Sequence, residues 1–120
     1  MRLIEELRKR TKQYASAIIR LYVTLPMARK EVQVLGHQLL RSGTSVAAQI
    51  REASRARSDA EFCSKLDSAL QEADESAPWL ELLRDDCGIT AKTVTDLLAK
   101  TNELVSIFVT IVNPTKGRRT

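Results

Sequence analysis

Ser58-Asp59-Ala60-Glu61-Phe62-Cys63-Ser64-Lys65-Leu66 opens a segment that closes at Cys87-Gly88. Ser58 and Glu61 have capping-box spacing: the serine hydroxyl accepts from the backbone N–H of Glu61, and the glutamate reaches back. Beyond it, Phe62, Leu66, Ala69, Ala73, Ala77, Leu80, Leu83 and Cys87 recur mostly at threes and fours, the signature of an amphipathic helix. Gly88 suits a left-handed stop. Pro78 frees the carbonyl of Asp74 within the pattern, which predicts a kink. A helix over about 58–87 follows.

The same periodicity extends in both directions. Val32, Leu35, Leu39, Ser42, Val46, Ile50 and Ala53 mark a helix over about 29–55. Gly43 sits inside it at a cost of about 1 kcal/mol relative to alanine. The stripe stays in phase across it, so close approach of a neighbouring segment is predicted, not a break. Ile4, Leu7, Thr11, Tyr14, Ile18, Leu21 and Leu25 give a helix over about 3–24, interrupted at Pro26. Its outer side offers Glu5–Lys9 and Glu6–Arg10 as i,i+4 pairs. Val94, Leu97, Thr101, Leu104, Phe108 and Ile111 give a fourth helix over about 90–112, with Thr90 as its expected cap and Asn113-Pro114 as its end. Four amphipathic helices with short connections pack as an all-α, antiparallel up-down-up-down four-helix bundle. Residues 1–113 are read as that one domain and 114–120 as a basic, mobile tail.

Composition agrees. At 120 residues the chain is one domain, and with 4% aromatics its core must be built from Leu, Ile, Val and Ala. Cys63 and Cys87 lie on apolar positions of one predicted helix, 24 residues apart, or about 36 Å along it. They cannot bridge, and reduced thiols in a cytoplasmic setting are expected. No run reaches the length of a membrane span, and the N-terminus has no apolar signal core.

Two features point to assembly. Six of the eight residues 18–25 and six of the eight residues 105–112 are apolar, more than one buried stripe needs. In an up-down bundle these ends lie at opposite poles, so neither covers the other. Ile19, Tyr22, Val23, Trp79, Ile107 and Val109 are the candidate interface residues. Charge is segregated too: residues 1–30 hold 8 Lys/Arg and 2 Asp/Glu, and residues 61–90 hold 2 and 8. A basic edge meeting the acidic third helix of another copy gives a head-to-tail contact that can close into a ring.

Residues 41–53, RSGTSVAAQIREA, followed by Arg55-Ala56-Arg57-Ser58 and Glu61-Phe62, resemble a bacterial four-helix-bundle family first noted in intervening sequences of large-subunit ribosomal RNA genes. Leu70-Gln71-Glu72-Ala73-Asp74-Glu75-Ser76 and Trp79-Leu80-Glu81-Leu82-Leu83 continue the likeness, which covers about Tyr22 to Phe108. The resemblance implies a left-handed bundle assembled as a ring-shaped homopentamer. Related accessory proteins of diversity-generating retroelements bind nucleic acid and a reverse transcriptase. This chain is more similar to the intervening-sequence branch, whose molecular function is largely unassigned and which supplies no catalytic residue.

The residues themselves offer little for catalysis. His37 has no partner at metal-ligand spacing, the acids of the third helix face no matching carboxylates, and the four glycines form no phosphate loop. No enzyme activity, metal or cofactor is expected. Basic clusters are the better candidates: Arg8, Lys9, Arg10 and Lys12; Arg51, Arg55 and Arg57; and Lys116, Arg118 and Arg119 in the tail. Such groups neutralise RNA or DNA phosphates without reading sequence. The competing reading gives these charges to solvent, to helix 3 or to a neighbouring subunit in a purely structural interaction module.

Overall fold

The computed structural model describes residues 2–113. Its helices are α1 (Arg2–Tyr22), α2 (Lys30–Ser54), α3 (Asp59–Asp85) and α4 (Lys92–Val112), with no strand among the described residues. The expected tail, with Lys116, Arg118 and Arg119, lies outside them.

Pairs across the helix contacts show the antiparallel order. Ile18 lies against Gly43 and Leu25 against Gly36, so α1 rises as α2 falls. Arg41 reaches Glu75 at 2.7 Å and Lys65 reaches Glu52 at 3.4 Å, so α3 reverses α2. Arg10 pairs with Glu103, and Tyr14 with Thr101, so α4 runs against α1. Consecutive helices share broad contacts, α1 and α4 touch sparingly, and diagonal backbones stay apart.

The core follows from the periodic positions. Leu7, Ile18, Leu39, Val46, Ile50, Leu66, Leu80, Leu83, Val94 and Phe108 are fully or almost fully buried. Each such aliphatic side chain contributes about 1.5–3 kcal/mol relative to exposure. At mid-height the core is polar. Tyr14 of α1 hydrogen-bonds Thr101 of α4 at 2.6 Å, and Ser42 of α2 hydrogen-bonds Ser76 of α3 at 2.7 Å. Each helix therefore contributes a hydroxyl to an inter-helix pair, while the buried Thr11 hydroxyl donates to the Leu7 carbonyl within α1 at 2.8 Å.

Helix ends agree in part with the local signals. Ser58 accepts from the Glu61 N–H at 3.1 Å, whereas the Glu61 carboxylate reaches past Ser58 to the Arg57 N–H at 3.2 Å. Ser58→Ala is expected to cost about 1 kcal/mol and Ser58→Asp almost nothing, read by urea denaturation. Gly88 adopts φ +71°, and the Ile89 N–H closes on the Leu83 carbonyl at 2.9 Å. α3 runs through Pro78 unbroken. Pro78 and Asp74 are exposed, so water can serve the carbonyl that the proline leaves without a donor. Thr90 does not cap α4: Ala91 occupies the capping position without a side-chain bond, which puts the threonine one residue too early. Cys63 is exposed, unlike its expected apolar placement, and Cys87 is buried. Arg29 donates to the Cys87 carbonyl at 2.9 Å, tying the α1–α2 turn to the end of α3.

Candidate functional site

Arg8 and Lys12 stand one helical turn apart on α1, with Lys9 beside them. The antiparallel register brings Arg51 of α2 to the same level. These four side chains, with Glu5, Ala47 and Ala48, line an open groove of about 540 Å³ between the two helices. All four cations are on exposed residues, and none makes an ion pair among the described residues. Two alanine methyls line the α2 side of the groove, so a ligand can come close to that helix. Arg8 and Lys12 repel each other at i,i+4, and Glu5 is the one carboxylate in the lining. An anion entering the groove would relieve that repulsion.

The other basic candidates go elsewhere. Arg10 leaves the cluster and pairs with Glu103 across the α1–α4 seam, so the expected Glu6–Arg10 pair is not formed. Lys9 likewise makes no ion pair with Glu5; both line the groove. α2 ends at Ser54, and Arg55 sits at its C-cap, exposed. Arg57 lines a separate hollow at the α2–α3 turn with Ile4, Ala53 and Phe62. Among the described residues the side chains of Arg51, Arg55 and Arg57 make no ion pair with the acids of α3; Arg41 instead bonds Glu75 at 2.7 Å and lies 3.8 Å from Glu72. Glu5, Ala47 and Ala48 are groove residues that the charge pattern alone did not single out, although Ala47 and Arg51 share an i,i+4 face.

Among the apolar candidates, Val23 is 73% exposed, Ile19 46% and Val109 41%. Tyr22 and Ile107 are partly covered. Tyr22 stacks on His37 with ring centroids 5.8 Å apart and planes at 24°. Trp79 is partly buried against the core, its indole N–H without a partner among the described residues. Leu3, Val34 and Leu82 are also exposed, outside the two apolar ends that the pattern singles out. Among the described residues no group of three or more His, Cys, Asp or Glu could hold a metal ion, and no helix is long and apolar enough to cross a membrane.

Residues 5–110, a span that includes the whole groove, match the 23S rRNA-intervening sequence protein family. The fold is similar to the crystal structure of a protein of unknown function from the S23 ribosomal protein family of Bacteroides thetaiotaomicron VPI-5482. That likeness has a TM-score of 0.80 at 35% identity, covering 88% of this chain and 97% of that one. No curated protein matches the chain. The sequence match runs through all four helices and the structural match reproduces their packing, so this chain belongs to the 23S rRNA-intervening sequence protein family.

Proposed function

We propose that the protein is a non-enzymatic, homo-oligomeric binding protein that holds RNA or DNA phosphates in the α1–α2 groove without reading sequence. The observation that carries this reading is the convergence of Arg8, Lys9, Lys12 and Arg51 from two helices on one groove, unpaired among the described residues. Ammonium and guanidinium groups displace the counterions condensed on a phosphate chain, so affinity comes from ion release and not from base contacts. The family's name refers to an intervening sequence of 23S rRNA, which is a statement of where its members are encoded and not of what they bind. Self-association is supported by the exposed Ile19, Val23 and Val109, and a ring of five by the family resemblance. In a ring each subunit repeats the groove, and weak contacts combine by avidity.

Titrating generic RNA and duplex DNA at several salt concentrations tests this. Four cations imply a slope of about −3.6 in log K against log salt for B-DNA, or roughly a hundredfold weakening between about 50 and about 200 mM. The triple variant Arg8→Glu, Lys9→Glu, Lys12→Glu should lose binding while its helical circular dichroism and sedimentation stay unchanged. The second reading, a module whose charges serve only self-assembly, draws on the same segregated charge. It would be favoured if the wild type bound no nucleic acid and the triple variant sedimented as a monomer.

A further inference from the structure

We infer that the groove takes one sugar-phosphate strand of a paired nucleic acid in preference to a free single strand. This rests on the nucleic-acid reading above and narrows it. Proteins that favour single strands supply aromatic rings on which bases stack. The chain has one Trp, two Tyr and two Phe, and all five are accounted for. Tyr14 and Phe108 are buried in the core. Phe62 and Trp79 belong to α3 and pack against it. Tyr22 is already stacked on His37, and it follows Lys12 by about 15 Å along α1. Among the described residues no ring lines the groove.

Apart from its charged groups, the lining offers base edges nothing. Ala47 and Ala48 present methyl groups, with neither donor nor acceptor for a base edge, and no Asn, Gln, Ser or Thr lines the groove. What remains is charge, on a cationic row whose one-turn repeat of about 6 Å follows a strand direction. A purely phosphate-directed site favours the ligand of higher charge density. Each cation releases about 0.9 counterion from a duplex and about 0.7 from a single strand, so four cations give slopes of about −3.6 and about −2.8. If the two ligands bind equally near molar salt, that difference makes the duplex about tenfold tighter at about 50 mM.

The experiment is fluorescence anisotropy of the full chain with a labelled DNA duplex and with an unstructured DNA strand of the same length. The duplex should bind about tenfold tighter at about 50 mM salt, and its advantage should shrink as salt rises. Lys12→Gln with Arg51→Gln, both exposed positions, should flatten the duplex slope by about 2. A single strand that binds as well as the duplex, or better, overturns the preference and leaves nucleic-acid binding standing. Failure of both ligands at low salt overturns the binding reading itself, and the preference with it.

Discussion

Gly43→Leu is expected to destabilise the bundle by about 3 kcal/mol, at the upper end of what overpacking costs. A Cβ at position 43 would already stand 2.9 Å from Cγ1, 3.1 Å from Cγ2 and 3.3 Å from Cδ1 of Ile18. Ile18 is fully buried and branched at Cβ, so it has no free rotamer into which to retreat. The smaller change Gly43→Ala gains about 1 kcal/mol of helix propensity, against about 1–3 kcal/mol of crowding. It should therefore be neutral or mildly destabilising. Compensation separates the clash from other causes. Ile18→Val removes only Cδ1, the most distant of the three atoms, and should rescue neither variant. Ile18→Ala removes all three and should show a favourable coupling of about 1 kcal/mol or more with Gly43→Leu in a double-mutant cycle by urea denaturation. Additive costs would place the damage elsewhere. Gly36 is the internal control. Its added Cβ would meet Leu25 Cδ1 at 2.9 Å, the mobile end of a long side chain, so Gly36→Ala should be neutral or stabilising by up to about 1 kcal/mol.

Gly43 also shows what the sequence could and could not disclose. An apolar stripe in phase on both sides of a glycine means a continuous helix with something close against it, and α2 is continuous there. That the neighbour is a side chain of α1, and which one, depends on inter-helix register, which no local pattern encodes. The same divide runs through the site. Arg8, Lys9 and Lys12 are neighbours because one helix carries them, and this was legible. Their meeting with Arg51 depends on how far α2 slides along α1. Arg55 and Arg57 looked equivalent to Arg51 in sequence, yet the helix ends at Ser54 and the chain turns toward α3. Arg10 shows long-range register overriding local pairing, since Glu103, remote in the chain, displaces Glu6 as its partner. Thr90 failed as a cap for a smaller reason: helix starts shift by a residue or two, and a cap acts at one position only.

Thr101→Val is expected to cost about 1–3 kcal/mol although valine has nearly the same shape, and adding Tyr14→Phe should recover most of the loss. The single change removes the hydroxyl that meets the Tyr14 hydroxyl at 2.6 Å and leaves a buried phenol without that partner. The double change removes both polar groups and leaves an apolar contact, which carries no unmet hydrogen bond. Titration tests the same contact independently. Burial raises the Tyr14 pKa above its ordinary value of 10.0, outweighing the opposing influence of the Thr101 and Ser76 hydroxyls. The folded state then holds this proton where the unfolded state has lost it. The contribution is thus intact below the unfolded value near pH 10 and is lost as pH rises through the folded value. Tyr14→Phe should remove that part of the alkaline loss of stability. Taken together, Tyr14, Ser42, Ser76 and Thr101 form a layer of inter-helix hydroxyl pairs in a core whose one other buried hydroxyl among the described residues, on Thr11, is spent on the Leu7 carbonyl of its own helix. Sliding α2 or α3 by one turn would set Ser42 or Ser76 against an apolar side chain, and sliding α1 or α4 would take the Tyr14 hydroxyl away from Thr101, so the layer selects one register among several that the Leu, Ile and Val stripes would tolerate. Replacing all four by Phe, Ala, Ala and Val should therefore leave urea stability within about 1 kcal/mol of the parent, or higher, while multiplying amide resonances in the NMR spectrum. A single sharp set of resonances from that quadruple variant would show that the apolar stripes alone hold the register on which the cationic groove depends.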